Sequence, residues 1–500
     1  MANEVDLVVK GGKIVTPDAV FAGSIAIENG KIVAIAEDKN CPPGKKTVDA
    51  SGKYVIPGVV DPECHLGHAR LLEEDLKSET KAAIATGVTT WGMQLSSTVV
   101  RKKITKFEKP EDVPPWLKVF PILTELGDKH SMVDYYLTSK IMNDTHAFEI
   151  PALAERHGVT SFKTQLHLRS GTAVWDTWVG GRQQGIFDYD DGMVYAAMRN
   201  VARLGPPAIY ALHCENWEIA RIIQQDLLRD GRKDTGAWED RSPAFCEAGH
   251  VRAYSYYAKI TGCPLYIQHV TTPETVKEIL KAKEEGVRIF GQTGSHYLSL
   301  PKETWKINVP LRSKETIEKM WEALRDGLID SVGSDHVNYG KSKDEMEVKG
   351  DVWKTQSGFP SRVEALLPIM LSEGVNRGRI TLQRLVEVCC TNPARIFGLH
   401  PQKGVLTLGS DADLVVVDLE KKCRVSNDMV YCGAGWTIYE GWEIKGWPVM
   451  TILRGQIMME WPDGERRPKI VGQPIGRYIP RKLESLQALP QWKNIGSHTG

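Results

Sequence analysis

The 500-residue sequence carries no net charge, no regular cysteine spacing and no internal repeat. Lys and Arg number 63, as do Asp and Glu, so no general attraction to nucleic acid or to an anionic membrane is indicated. The nine cysteines include no CxxC pair, which excludes a thiolate zinc motif and argues against a disulfide framework.

Long apolar runs are also absent. No stretch of about 18 apolar residues occurs, and the first residues, "MANEVDLVVKGGKIV", lack a basic segment followed by an apolar one. Hydrophobic residues make up 42% and charged residues 25%, which is ordinary for a soluble globular protein. Together with cysteines that suit a reducing compartment, these features predict a cytoplasmic protein.

Strand patterns are present at both ends of the chain. Residues 1–56 alternate apolar and polar residues between "GG", "NG" and "SG" turns, and similar patterns return in residues 401–460. Because each block has too few strands to bury a face alone, we expect the two to form one small β-sandwich. Residues 461–500 are rich in Pro, Gly and charge at their start, which suggests an arm on the surface or on a neighbouring subunit.

Residues 57–400 repeat a strand and then a helix. The predicted strands lie in "WLKVFPILTEL", "GVTSFKTQL", "PPAIYALHCEN", "PLYIQHV", "GVRIFGQTG" and "IDSVGSDH", with helices such as "TPETVKEILKAKEEG" between them. This alternation is typical of parallel strands with crossover helices, in an open sheet or a closed (β/α)8 barrel. The barrel is favoured because polar residues gather at the strand ends, where barrels build their sites.

Six polar residues end successive predicted strands or lie directly after them: Glu63, His65, Lys163, His213, His269 and Asp335. Imidazole and carboxylate ligands suit divalent ions such as zinc, with manganese favoured as carboxylates are added. A lone strand-end His more often makes local hydrogen bonds, Asp335 alone could be a helix N-cap, and Lys163 alone could be solvated. As a set, these six residues instead predict a site for one or two divalent cations.

The stretch "DPECHLGH" is unusual within this set, because Glu63 precedes His65 where a His-x-His pair would supply two imidazoles. Residues two apart on a strand point the same way, so Glu63 and His65 can bind one ion while Cys64 faces the opposite side. Glutamate oxygen is an accepted zinc ligand at about 2.0–2.2 Å. Its negative charge is expected to reduce the Lewis acidity of the ion compared with a second imidazole.

The sequence resembles the amidohydrolase superfamily, in its hydantoinase, dihydropyrimidinase and allantoinase branch. The resemblance extends over essentially the whole chain and is carried by "VVKGGKIVTPD", "PGVVDPECHL", "GVTT", "SFK", "HCEN", "GQTGSHYL", "VPLRSKE", "GLIDSVGSDH" and "TNPARIFGLHPQKGVLTLGSDADLVVVD". It implies a TIM-like barrel with a β-sandwich, a homotetramer and a two-metal site, for which zinc is the expected metal.

Residue roles follow from the same resemblance. A carboxylated Lys163 would bridge the two ions, with His213 and His269 binding the second. Asp335 would bind the first ion together with His65, and Glu63 stands where the family has its first histidine. The implied reaction is hydrolysis of an amide C–N bond by a metal-activated hydroxide, with Asp335 as general base and acid.

The substrate positions depart from the hydantoinase pattern. The family's tyrosine after the bridging lysine is here Leu168, preceded by His167; Asn308 and Ser357 replace a serine and an asparagine; and His296 is a further candidate. We therefore expect a small cyclic amide, imide or ureide other than an ordinary hydantoin or dihydrouracil, with an aryl-substituted amide included.

Residues 172–185 have the length of a lid, in which Trp175 and Trp178 form either an apolar wall for the substrate or a subunit contact. A hydrolase of linear amides or carbamates, and a non-catalytic scaffold, are the alternatives to a cyclic amidase.

Overall fold

The computed structural model describes residues 4–99, 112–168 and 189–484. The strands are β1 Val5–Val15, β2 Val20–Glu28, β3 Lys31–Ala36, β4 Gly44–Asp49, β5 Tyr54–Pro57, β6 Val59–His65, β7 Val88–Leu95, β8 Asp134–Lys140, β9 Ser161–Gln165, β10 Ile209–His213, β11 Leu265–Ile267, β12 Ile289–Gly294, β13 Ser331–Gly333, β14 His336–Val337, β15 Leu414–Arg424, β16 Glu443–Leu453, β17 Gln456–Glu460 and β18 Lys469–Ile470.

The α-helices are α1 Leu72–Ala85, α2 Trp116–His130, α3 Asp144–His157, α4 Asp191–Leu204, α5 Trp217–Arg229, α6 Gly236–Arg241, α7 Ala244–Thr261, α8 Pro273–Glu284, α9 Lys314–Arg325, α10 Lys343–Met346, α11 Arg362–Ile369, α12 Leu382–Val386 and α13 Asn392–Ile396. Two π-helical turns, Met370–Val375 and Glu387–Thr391, follow α11 and α12. Within the described ranges, no helix is both long and apolar enough to cross a membrane.

Parallel strands form a closed barrel. Strands β6 to β12 pair with one another in chain order, β13 pairs with β12, and β14 pairs with β6. Only Ser334 and Asp335 separate β13 from β14, so these two segments together occupy the eighth strand position and close the ring. The predicted (β/α)8 TIM-like barrel is confirmed, and it brings the strand ends that carry the polar residues to one rim.

The buried side chain of Asp61 on β6 connects the strands at which the barrel closes. Its Oδ1 accepts hydrogen bonds from the backbone N–H of Ser334 at 2.9 Å and of Glu63 at 3.2 Å. Its Oδ2 accepts from the Ser334 hydroxyl at 2.5 Å and from Trp91 Nε1 on β7 at 2.8 Å. One buried carboxylate thereby sets the relative positions of β6, β7 and the β13–β14 junction.

The terminal segments share a second sheet. Its order is β18-β17-β16-β15-β5-β1-β2-β3, with β4 on β1. The junction is antiparallel, with Leu414 opposite Pro57 and Val417 opposite Tyr54. The expectation that both ends of the chain build one β-sandwich is confirmed, while the exact limits at residues 56, 400 and 460 stay predictions.

One predicted strand is wrong. "WLKVFPILTEL" lies in helix α2, and the strand of this barrel unit is β8, which follows it. The buried residues Trp116, Val119, Phe120 and Leu123 recur at three- and four-residue spacing, which is the period of one helix face. Because most residues of this segment are apolar, the helical period is hard to recognise in the sequence. The segment was therefore interpreted as a buried strand.

Part of the C-terminal arm packs on the barrel of its own chain. Tyr135, near the start of β8, donates its N–H to the Arg477 carbonyl and accepts from the Ile479 N–H, at 3.0 and 2.8 Å. The buried Arg481 guanidinium donates to Ser161 Oγ and to the Leu137 carbonyl, both at 2.8 Å. These bonds attach the described end of the arm to strands β8 and β9.

A buried lysine joins the barrel to the sandwich. Lys403 Nζ lies 2.6 Å from Asp134 at the start of β8, and 2.7 and 3.0 Å from Asp413 and Asp411, which precede β15. The Lys403 side chain is fully buried, so its charge depends on these carboxylates for stabilisation. Three aspartates around one ammonium make this junction sensitive to loss of the cation.

We expect Lys403→Met to lower the free energy of unfolding by about 3–5 kcal/mol, because the buried Asp413 loses its only ion-pair partner among the described residues. Denaturant unfolding monitored by circular dichroism measures the change. Lys31→Met is the matched control, since Lys31 also pairs with Asp411, at 2.6 Å, but is 43% exposed. The control should cost about 1 kcal/mol or less. If both variants lose the same free energy of unfolding, burial does not explain the contribution of Lys403.

Candidate functional site

Strand β6 presents Glu63 and His65 on one side. His65 Nε2 lies 3.8 Å from Glu63 Oε1 and 3.1 Å from Asp335 Oδ1. Each of the three residues is buried and offers one ligand atom, and these atoms all lie within 4.8 Å of one another. Two carboxylates and an imidazole at this separation can hold a divalent cation.

Two neighbours fix the Glu63 carboxylate. Lys163 Nζ on β9 donates to Oε1 at 3.0 Å, and Gln292 Nε2 on β12 donates to Oε2 at 2.6 Å. Burial opposes ionisation of Glu63, but the Lys163 ammonium outweighs it together with smaller effects and lowers the pKa of the carboxyl. Glu63 is therefore held as a carboxylate, which is the form that binds a metal.

Three imidazoles cluster on the adjoining part of the rim. The ring centres of His213 and His269 lie 4.2 Å apart, and those of His213 and His167 lie 4.0 Å apart. Burial lowers the pKa of all three, so they are neutral at physiological pH. Among the described residues, Nδ1 of His269 and Nδ1 of His167 have no hydrogen-bond partner. Neutral imidazole nitrogens are the form of histidine that ligates metals.

Asp335 is fixed from two sides. Its Oδ1 faces His65, while its Oδ2 accepts a hydrogen bond from Arg362 Nη1 at 2.5 Å. Burial opposes ionisation, yet the Arg362 guanidinium holds the pKa of this carboxyl well below its usual range. The Asp335 carboxylate is thus charged, and only one of its oxygens is turned toward His65.

The backbone is strained at two of these positions. His269 has a φ of 40° and Asp335 a φ of 47°, in the left-handed region that residues other than glycine seldom adopt. Such conformations cost about 1–3 kcal/mol each and concentrate at functional sites, where the surrounding structure maintains them. Here the strain accompanies side chains that converge on the rim.

The rim surrounds a cavity that is partly open to solvent, with about 360 Å³ of empty space when the open part is included. The residues that line it are His65, Lys163, Gln165, His167, His213, Asn308, Asp335, Val337, Tyr339 and Arg362. Glu63 and His269 are not among them, but they contact the lining residues Lys163 and His213. All six residues predicted as metal ligands therefore meet at one end of the barrel.

The predicted substrate residues divide into two pairs. His167 and Asn308 line the cavity, and both side-chain polar atoms of Asn308 lack a partner among the described residues. Ser357 and His296 are buried but do not line it; the Ser357 hydroxyl and both ring nitrogens of His296 are likewise without a partner there. Residues 172–185, with the predicted lid and its two tryptophans, lie outside the described residues.

Comparison with known proteins decides the family. A model of the amidohydrolase family matches residues 245–458. The L-hydantoinase of Paenarthrobacter aurescens is 30% identical over 496 residues, which cover 95% of this chain and 98% of that protein. The chain belongs to the amidohydrolase family.

One further relative and one solved structure agree with this membership. The D-hydantoinase of Geobacillus stearothermophilus is 28% identical over 491 residues, covering 95% of this chain and 96% of its own length. The solved structure of the L-hydantoinase (dihydropyrimidinase) from Arthrobacter aurescens aligns with a TM-score of 0.81 at 28% identity, covering 95% and 100% of the two chains. The resemblance to the hydantoinase and dihydropyrimidinase branch is confirmed.

Amidohydrolase family membership implies a divalent metal. The residues present fit one: Glu63, His65 and Asp335 form a compact group of ligand atoms, and His269 has a buried nitrogen without a partner among the described residues. His213 Nε2 lies 3.2 Å from Glu215 Oε2, a contact that orients the imidazole as carboxylates orient metal-bound histidines in other proteins.

Three residues of this amidohydrolase site were missing from the sequence prediction. Lys140 is the last residue of β8, which the sequence prediction lacked because it assigned the α2 segment as the strand of this barrel unit. The β-forming run "DYYLTS" before Lys140 was a usable signal for the strand. Arg362 begins α11 and Gln292 lies in β12, and no sequence spacing connects either one to its carboxylate partner. Their roles emerge only from the tertiary structure.

Glu79 of α1 supports the site from outside the barrel. Its carboxylate lies 2.8 Å from His336 Nε2 and accepts a hydrogen bond from Asn338 Nδ2 at 2.8 Å. Burial opposes ionisation of Glu79, but the hydrogen bond and charge of His336 help lower its pKa from 4.5 to about 2. Because His336 follows Asp335, this bond anchors the backbone beside the catalytic candidate.

A carboxyl whose pKa is lowered in the folded state stabilises the protein above its unfolded pKa, and this contribution is lost as the pH falls. We expect the excess stability of the wild type over Glu79→Gln to be full above pH 4.5 and to shrink toward pH 2. Denaturant unfolding at a series of pH values measures it. Glu74→Gln, at an exposed position of the same helix, is the control. If the stability difference between the wild type and Glu79→Gln does not change with pH, the lowered pKa of Glu79 is contradicted.

Proposed function

We propose that this amidohydrolase hydrolyses the amide C–N bond of a small cyclic amide, imide or ureide, with the six converging residues as its metal site. The observation that carries the proposal is their meeting at one buried cavity from strand ends scattered over most of the barrel. The relatives named as hydantoinases, of both L and D type, support a cyclic amide and leave the stereochemistry open.

In this proposal, Glu63, His65 and Asp335 would hold one ion, and His213 and His269 the other. Lys163 would serve both ions in carboxylated form; carboxylation removes the ammonium that now pairs with Glu63, so the bound ions would then balance the charge of Glu63. Zinc is the proposed metal, with manganese or another transition metal as the alternative because Glu63 adds negative charge to the site. When bound, such ions supply Lewis acidity that activates water and polarises a carbonyl oxygen.

The chain's own residues handle the proton and the substrate. Asp335 accepts the proton of the attacking water and delivers it to the leaving nitrogen, while Arg362 keeps its other oxygen in place. Asn308 and His167 offer the ring of the substrate polar groups that have no partner within the described ranges. Ser357 and His296 are proposed to support the same pocket from behind its wall.

The described wall of the cavity supports a polar ring. Val337 is the one aliphatic side chain among its described lining residues. A small hydrogen-bonding ring matches this wall better than a bulky apolar substituent does.

The assembly is part of the proposal. We propose a homotetramer, for which several exposed apolar side chains offer contact surface. Phe148 on α3 is 68% exposed, and Phe245 and Tyr256 on α7 are 49% and 60% exposed. Large exposed apolar side chains of this kind are often covered by another subunit.

We expect purified protein to contain stoichiometric divalent metal by elemental analysis and to open at least one ring in a panel of hydantoins, imides, lactams and dihydropyrimidines. Chelation should abolish the hydrolysis and metal return should restore it, because the metal activates the water. Linear amides and carbamates in the same panel test the alternative substrate class. Protein without metal that is indifferent to chelators would instead indicate a scaffold.

Two substitutions test Glu63 as a ligand. We expect Glu63→Gln to reduce metal affinity and hydrolysis together by at least about tenfold, since even groups outside the first coordination sphere change affinity by that much. Glu63→His should keep the fold and shift metal preference toward zinc. Competition among metals, read by elemental analysis, measures the preference. Metal content and selectivity that stay unchanged in both variants would show that Glu63 is not a ligand.

A further inference from the structure

Arg362 is the one arginine among the described residues that line the cavity, and its side chain is 2% exposed. Its guanidinium donates from Nη1 to Asp335 Oδ2 at 2.5 Å and from Nε to the Phe359 carbonyl at 3.1 Å. A longer bond of 3.4 Å runs from Nη2 to the Tyr339 hydroxyl. Since a guanidinium has five N–H groups, two of them, one on each Nη, have no acceptor within the described ranges.

The backbone before Arg362 is fixed in an unusual conformation. Arg362 is the first residue of α11, and Ser361 before it has a φ of 61°, in the left-handed region that residues other than glycine seldom adopt. The buried Ser361 hydroxyl donates to the Trp436 carbonyl at 2.8 Å. Strained conformations of this kind concentrate at functional sites. The Arg362 side chain therefore starts from a fixed backbone position and ends at fixed acceptors.

Asp335 and Arg362 together present a hydrogen-bond acceptor beside hydrogen-bond donors on the cavity wall. A ring nitrogen that is bonded to a carbonyl carbon presents the complementary pair, an N–H beside an acceptor oxygen. In the proposed reaction, the leaving nitrogen lies against Asp335. Because Nη1 of Arg362 is only 2.5 Å from Oδ2 of Asp335, the carbonyl oxygen on that nitrogen then lies near the unused N–H groups of Arg362. A hydrogen bond from a guanidinium is stronger than one between neutral groups.

Breaking the ring moves negative charge toward this oxygen. As the C–N bond breaks, its electron pair passes to the leaving nitrogen and is shared with the oxygen of the carbonyl bonded to that nitrogen. Asp335 returns to the nitrogen the proton taken from the attacking water, and the guanidinium of Arg362 keeps all its protons. A fixed donor that faces an oxygen gaining charge stabilises the transition state more than the ground state.

We propose that Arg362 is a catalytic residue that donates a hydrogen bond to the carbonyl oxygen on the leaving nitrogen and stabilises the charge that develops there. This inference rests on the proposed function and adds a residue to its chemistry. Arg362 then contributes in this way only to rings whose leaving nitrogen carries a second carbonyl. A role limited to holding Asp335 in place would instead affect every ring equally.

The test replaces that one oxygen by sulfur, which is a weak hydrogen-bond acceptor. Each ring that the wild type opens is compared with its thioxo analogue, and product analysis identifies the bond broken and hence the carbonyl on the leaving nitrogen. We expect the ratio of kcat/KM for the oxo over the thioxo ring to fall about tenfold from the wild type to Arg362→Met, mainly through kcat, as for loss of a hydrogen bond to a charged group. Differences in intrinsic reactivity cancel, because both proteins receive the same two compounds. Arg362→Lys keeps the charge and should retain part of the ratio.

Arg384→Met is the control, because Arg384 is 12% exposed and donates to the Leu324 and Ile329 carbonyls, at 2.8 and 2.7 Å, ahead of the start of β13 and away from the rim. It should leave the ratio unchanged. Circular dichroism checks the fold of every variant, and Arg362→Gln replaces Arg362→Met if the latter does not fold. Equal losses on the oxo and thioxo rings in Arg362→Met would show that Arg362 only holds Asp335, and would overturn the inference.

A failure of the proposed function is seen separately, since no ring is then opened at all. Calorimetry with the same pairs of rings decides the inference in that case. It requires the wild type to bind the oxo ring more tightly than the thioxo ring, and Arg362→Met to reduce this difference. A wild type that binds both rings equally overturns the inference.

Discussion

The Asp61 carboxylate is the constraint on which the site geometry depends. It lies inside β6 and binds β7 and the junction of β13 with β14, which is where the barrel closes. Glu63 is two residues away on the same strand, and Asp335 directly follows Ser334 of that junction. Burial raises the pKa of Asp61 to about 7 despite its hydrogen bonds, so the closure is maintained at an electrostatic cost. The two carboxylates of the candidate metal site are positioned as a consequence.

Replacing an imidazole by Glu63 changes the charge balance of the rim. A histidine would add no charge, whereas Glu63 adds a negative one that the structure matches with Lys163 and Gln292. Asp335 is matched in the same way by Arg362. With Lys163 unmodified, each carboxylate thus has its own cation. The carboxylation proposed for Lys163 would remove one of these cations, and the bound ions would take over its part in the charge balance.

Much of this could be predicted from sequence, because the decisive signals are local. Alternating strands and helices predicted the barrel, and strand-end polar residues such as His213 and Asp335 predicted which side chains meet at its rim. The prediction was wrong for the α2 segment because a densely apolar helix and a buried strand have similar composition. As a result, β8 and Lys140 were missing from the prediction. Arg362 could not be predicted, since its contact with Asp335 depends on how α11 packs against the barrel mouth.

The pairing of β5 with β15 has a consequence for how the protein is made. The first strands leave the ribosome early, yet the sheet that they complete needs Leu414 and its neighbours, which are synthesised near the end. Until then, the hydrogen-bonding edge of β5 has no permanent partner, and unpaired edges of this kind recruit other chains. Biosynthesis of this enzyme therefore includes a long interval of vulnerability to aggregation, during which a chaperone would have the most to protect.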